Sequence, residues 1–198
     1  MAFYWASFKE RNGKLYRFDT RIYLNDIIKP SKSDRCIGAI VGKNPGSAEP
    51  SSLYMNTLEE INLNGDKLLP TVRNIFLKTG IKFPQNQYVQ VLNLFYLCNP
   101  VLTAAIKENE EDNSMEKCLS ENNDFPWVWF VWGGKNKFLD KYKDQFKTIK
   151  TTRKFYFDSY EKKVVEGFPN NSTLAKHTQG LKHDYIVPYF KKILKNII

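Results

Sequence analysis

The residues that could take part in chemistry fall in four polar stretches, most of them at the ends of apolar runs. Gly42-Lys43-Asn44-Pro45-Gly46-Ser47 follows Cys36-Ile37-Gly38-Ala39-Ile40-Val41 and brings an amine, a carboxamide and a hydroxyl together. Asn93 falls within the run that begins at Tyr88, Gly133-Gly134 follows Trp127–Trp132, and Asn170–Thr173 belongs to a longer polar loop opening at Gly167. A carboxamide carries a donor and an acceptor, so it can orient water or a polar ring edge, but it cannot take a proton. The nearest carboxylate after Asn44 is Glu49, which could supply that base. Each residue also has a plainer reading: Asn44 as a turn former before Pro45, Glu49 as a solvated loop residue, Asn93 as a strand-end amide bonded to local backbone.

The elements that must position these loops follow from periodicity. The run at 36–41 is continuously apolar, as in a buried parallel strand, 88–94 and 127–132 read as a second and third buried strand, and a fourth short strand is expected at 153–157. Leu68, Leu69, Val72, Ile75 and Phe76 form a helical stripe closed by Gly80, 135–146 has helical spacing at Phe138, Leu139, Tyr142 and Phe146, and 183–197 reads as a closing amphipathic helix. Residues 3–23 read as two strands around Asn12-Gly13, a dipeptide that favours a type I′ turn. Strands alternating with helices imply a three-layer αβα sandwich around a central, mostly parallel four-stranded sheet. Ligands then bind beyond the carboxyl ends of the strands, where the polar loops would share one site. The expected organisation is an N-terminal hairpin appendage over 1–30 and a single α/β domain over 31–198.

Charge narrows the partners. The 198 residues carry a net charge of +9, and residues 135–198 alone hold 15 basic against six acidic side chains, while the rest is balanced. Such asymmetry fits nucleic acid, would also fit a membrane surface or an acidic protein, and fits equally a solvated lysine-rich face. Residues 108–124 hold seven acids against Lys117 and read as a solvated acidic loop. No apolar run approaches the roughly 18 residues of a membrane-spanning helix, and the N-terminus lacks a signal pattern, so a cytoplasmic protein without membrane contact is expected. Cys36, Cys98 and Cys118 are odd in number and scattered, which indicates neither a disulfide framework nor a zinc site.

In this order the segments resemble the uracil-DNA glycosylase superfamily over roughly 36–194. Val41-Gly42-Lys43-Asn44-Pro45-Gly46 looks like its first motif in the form of the mismatch-specific uracil and thymine enzymes. Gly65-Asp66-Lys67-Leu68-Leu69, Val91-Leu92-Asn93 and Cys98-Asn99-Pro100 are similar to the helix and second strand of the thermophile-type branches. Phe130–Gly134 looks like the third strand of the classical enzymes, and Asn170–Lys176 is similar to the second motif, a loop that presses on DNA. Two departures stand out: Asn170-Asn171 replaces the His-Pro of the second motif, with His177 nearby but off register, and three cysteines cannot hold the family's iron–sulfur cluster.

The resemblance implies a DNA glycosylase with no cofactor, acting as a monomer on flipped-out pyrimidines. Asn44 would hold the attacking water, with Glu49 as candidate base, and Asn93 would read the pyrimidine edge. Gly42, Lys43, Pro45, Gly46 and Ser47 would shape the base pocket, and Tyr54 and Phe95 are candidate stacking platforms, or plain core aromatics. Asn170, Asn171, Ser172, Thr173, Lys176 and His177 would contact DNA, with Leu174 as an apolar wedge. Classical members have a tyrosine after the motif's proline that closes the C5 side, whereas Gly46 and Ser47 stand here. A 5-modified pyrimidine, such as hydroxymethylated or glucosylated cytosine of phage DNA, is therefore the expected substrate, with antiviral defence as the role. Uracil or thymine mismatch repair, and non-catalytic nucleic-acid binding, are the alternatives. None of Lys43, Lys135 or Lys176 reads as lying in an apolar setting, so a monofunctional enzyme is expected.

Overall fold

The computed structural model describes residues 2–51, 57–112, 117–134, 136–170, 174–195 and 197. Asn12 and Gly13 both take positive φ, 51° and 70°, so the chain reverses in the turn this pair favours. Strand β1 (Ala2–Arg11) thereby folds back on β2 (Lys14–Ile27). The chain continues through β3 (Arg35–Gly42), β4 (Glu49–Pro50), β5 (Leu58–Asn62), α1 (Leu68–Leu77), β6 (Gln87–Asn93) and α2 (Leu102–Glu111). It closes with β7 (Val128–Phe130), α3 (Asp140–Asp144), β8 (Lys154–Asp158), β9 (Lys163–Glu166) and α4 (His183–Leu194).

Among the described residues nine strands form one sheet in the order β4-β5-β1-β2-β6-β3-β7-β8-β9. Five of its eight pairings are antiparallel, and the parallel ones, β6–β3, β3–β7 and β7–β8, lie at its centre. This corrects the expected three-layer αβα sandwich around a mostly parallel four-stranded sheet: the sheet is larger, mixed and mostly antiparallel, with four helices among the described residues. The physical reason is the open backbone at each sheet edge. Unpaired N–H and C=O groups recruit further strands, so β2 pairs with β6 through Thr20–Tyr23, β5 adds to β1, and β9 folds back onto β8. The sequences of β5 (LEEIN) and β9 (KVVE) are short and carry charges, so local pattern does not announce them.

Two apolar clusters flank the sheet's centre. One joins Leu69, Val72, Ile75 and Phe76 of α1 and Ile186, Phe190 and Leu194 of α4 to Ile37, Ile40, Trp127 and Phe155, and takes in Phe8, Ile22 and Leu24 of the hairpin. The other gathers Ala105 and Ile106 of α2 and Tyr142 of α3 with Ala39, Val41, Leu92 and Phe130. Burying each large side chain contributes about 1.5–3 kcal/mol. Gly38 fits only as glycine, because a Cβ there would lie 2.0 Å from the Trp127 ring.

Helix α1 starts where Asp66 Oδ1 accepts from the backbone N–H of Leu68 at 2.7 Å and of Leu69 at 3.3 Å, satisfying donors that a helix start leaves unpaired. It is followed by Gly80 at φ 71°. No helix of the described residues is long and apolar enough to cross a membrane.

Candidate functional site

Strands β3 and β6 end side by side, with Gly42 opposite Asn93. The exits are held together where Leu94 N–H donates to Gly42 O at 3.1 Å and Phe95 N–H to Lys43 O at 3.4 Å. From the other side, Gly133 N–H donates to Ala175 O at 2.6 Å and Lys176 N–H to Phe157 O at 3.0 Å, fixing the 174–177 segment across the ends of β7 and β8. Between these loops lies a cavity of about 590 Å³, within the range of small-molecule sites. Its walls are Lys43–Ser47, Gly65–Leu68 before and into α1, Pro100, His177 and Gln179.

Each wall residue is set by its own contacts. Asn44 Nδ2 donates to Asn99 O at 2.8 Å, which leaves Oδ1 to accept from a water. Asp66 is the one carboxylate among the described wall residues. Besides starting α1, its Oδ2 lies 3.7 Å from Nη2 of Arg17, a guanidinium only 1% exposed whose Nε and Nη1 have no hydrogen-bond partner among the described residues. Burial pulls Arg17 below its ordinary pKa, with Cys98 and Asp66 opposing.

His177 Nδ1 accepts the Gln179 backbone N–H at 3.1 Å. Burial first, then Lys43 and Lys176, depress its pKa below 6.5, with Asp66 opposing, so the ring is neutral at pH 7. A neutral ring that accepts at Nδ1 carries its proton on Nε2, a donor on the cavity wall. Lys43 is half-buried, and burial lowers its pKa from 10.5. No hydrogen-bonding or ion-pair partner meets its Nζ among the described residues. Its terminal atoms pass over Gly133, where a Cβ would stand 3.4 Å from Cε and 3.5 Å from Nζ.

Asn93 is 1% exposed, and both Oδ1 and Nδ2 lack a hydrogen-bond partner among the described residues. Such an orphaned amide costs about 1–3 kcal/mol per group. It lies behind Gly42: a Cβ on Gly42 would be 3.1 Å from Asn93 Oδ1 and 3.5 Å from Cδ2 of Leu68, which is itself a cavity wall.

The structure thus brings Lys43, Asn44, Pro45, Gly46, Ser47 and His177 to one cavity, with Gly42 and Asn93 directly behind it. Lys176 is half-buried beside His177, Leu174 stands 40% exposed near Gly134, and Asn170 is exposed. Glu49 is not on the wall; it is exposed, and its Oε2 accepts from Asn64 Nδ2 at 2.9 Å. Phe95 is buried in the core, its ring 5.4 Å from that of Tyr142. Tyr54, Asn171, Ser172 and Thr173, together with Lys135, lie outside the described residues. Sequence reasoning missed Asp66, Arg17 and Gln179 as site residues. Asp66 before an apolar stripe signals only a helix cap, and nothing local marks Arg17 in the middle of β2.

Among the described residues no group of three or more His, Cys, Asp or Glu side chains could hold a metal ion. In comparison with known proteins, no family model, curated protein or solved structure matches the chain.

Proposed function

We propose that the chain is a DNA glycosylase that hydrolyses the N-glycosidic bond of a flipped-out pyrimidine and leaves an abasic site, acting in the cytoplasm as a monomer. The observation that carries this reading is Asn93, a buried carboxamide with donor and acceptor both unpaired behind a cavity wall. A planar ring edge with its own donor and acceptor would satisfy both groups, and displacing Leu68 would bring the two together.

The wall chemistry suits the reaction. Glycosidic cleavage places positive charge on the sugar and negative charge on the departing base. Asn44 Oδ1 would orient water, Asp66 would take its proton, and the Nε2–H of His177 would hydrogen-bond the departing base. His177 would thus meet from a later position the need that Asn170-Asn171 leave open. Lys176 would attract phosphate, and the basic last third of the chain would add to that field. A side chain at Gly46 would meet nothing within 4 Å, which favours a pyrimidine with a large 5-substituent, as in glucosylated hydroxymethylcytosine of phage DNA.

The test incubates the purified protein with duplexes carrying uracil, mismatched thymine, 5-hydroxymethylcytosine or its glucosylated form, and assays free base and alkali-labile sites. Release of the glucosylated base in preference to uracil is expected. Preference for uracil would sink the C5 argument. No release from any duplex, with salt-sensitive DNA binding intact, would replace the enzyme by a binding protein on the same site.

A further inference from the structure

The cavity holds an amine that hydrolytic base excision does not use. Lys43 Nζ has no ion-pair or hydrogen-bond partner among the described residues, its stem lies over Gly133 and next to His177, and it opens into the same space as Asn44 and Asp66. Lysine side chains on a surface are solvated or paired with carboxylates. One half-buried, with no carboxylate in ion-pair range among the described residues, beside a neutral imidazole and a glycine backbone keeps a larger share of uncharged amine, the form that attacks carbonyl carbon. The shift of Lys43 below its ordinary value has burial as its cause and agrees with this geometry.

We infer, against the monofunctional expectation from sequence, that Lys43 is a Schiff-base nucleophile and that the protein has a second activity, cleavage of the DNA strand at abasic sites. The inference rests on reading the cavity as a base-excision site, since the substrate of the second step is the product of the first. The uncharged amine adds to C1′ of the ring-opened abasic sugar; a C–N bond forms and the aldehyde oxygen takes up the amine's proton. A second proton, from solvent, lets that oxygen leave as water and gives a protonated imine. The imine acidifies the C2′ hydrogen, which leaves as a proton to the Asp66 carboxylate. The C3′–O bond then breaks, and its electron pair departs with the 3′ phosphate, which becomes the 5′-phosphate end of the downstream strand. Water hydrolyses the remaining imine, frees Lys43 and leaves an unsaturated aldehyde on the upstream strand. One water is released and one consumed, the proton taken from solvent is returned when the imine is hydrolysed, and nothing is oxidised or reduced.

The decisive experiment uses the full chain and an oligonucleotide with a preformed abasic site, so its outcome is independent of base release. Sodium borohydride reduces an imine to a stable secondary amine, and the cross-linked species is read on a denaturing gel and mapped by peptide mass spectrometry. We expect a covalent adduct on Lys43 in the unaltered protein, at least tenfold less in Lys43→Gln, and an undiminished yield in Lys29→Gln, an exposed lysine ahead of the opposite end of β3. Absence of an adduct, or mapping to Lys67, Lys176 or the N-terminal amine instead, overturns the inference. The mapping is done on the unaltered protein, so a variant that folds poorly does not blunt the test. Base release with no adduct would leave the glycosylase reading standing and remove this one; an adduct without base release would do the reverse.

Discussion

Oδ2 of Asp66 lies 3.7 Å from Nη2 of Arg17, and the guanidinium is 1% exposed. The hairpin strand β2 therefore delivers a buried positive charge to the back of a carboxylate whose front is a cavity wall. Removing one member of a buried pair strands the other, at a cost of about 3 kcal/mol or more. Asp66→Asn should lower stability in chemical denaturation by that order. It should also reduce base release by about 100-fold or more, as expected of a lost general base. Unchanged turnover in a folded Asp66→Asn protein would take the base role from this residue.

Asn93 offers a sharper separation of stability from function. Replacing a buried, unpaired amide by an apolar group of similar volume removes a desolvation penalty. Asn93→Leu should therefore raise stability by about 1–3 kcal/mol and abolish base release. A destabilised Asn93→Leu would mean that the amide is satisfied in solution and is not held for a ligand.

The acid behaviour of His177 has a definite sign. Its folded pKa lies below 6.5, so between that lower value and 6.5 the unfolded chain binds more protons than the folded one. Stability must then rise with pH through this window, and His177 opposes folding as the pH falls through it. His183 is depressed too, by burial and Lys78, so the two are separated by NMR titration of a His183→Asn protein. The remaining imidazole should show a midpoint under 6.5, and a midpoint above it would contradict the neutral donor.

Leu174 is 40% exposed near Gly134, and on the proposed reading it would fill the gap left by an extruded nucleotide. Leu174→Ala should slow base release from duplex DNA about tenfold and leave single-stranded substrate nearly unaffected, since only the duplex must be opened. Equal losses on both substrates would mark the leucine as a packing residue.

Gly38 tests the core that carries the loops. A Cβ would stand 2.0 Å from Cε2 and 2.3 Å from Cδ2 of Trp127, an indole with no exposed surface. Neither the ring nor the strand can yield cheaply in a packed interior, so Gly38→Ala should cost about 3 kcal/mol or more. A thermal midpoint close to that of the unaltered protein would refute this packing.

Local chemistry alone determined a good deal. The Asn12-Gly13 turn, the α1 stripe from Leu69 to Phe76 and the loop Lys43–Ser47 after an apolar run are each readable because neighbours in the chain are neighbours in space. Strands β5 and β9 were not readable, because four or five half-charged residues become strands only when an unpaired edge is offered by β1 or β8. The site divides the same way. Asn44 and Lys43 stand out in sequence, but Asp66 becomes a cavity carboxylate only once α1 is packed on the sheet, and its counter-charge comes from Arg17, 49 positions earlier. His177 lies off register by sequence and reaches the wall because Ala175 is bound to Gly133 and Lys176 to Phe157. Turn and helix signals act over a few residues, and composition alone reveals the basic end of the chain. Burial decides which amine loses its solvation, which amide loses its partners and which imidazole stays neutral, and it exists only after distant segments have closed around them.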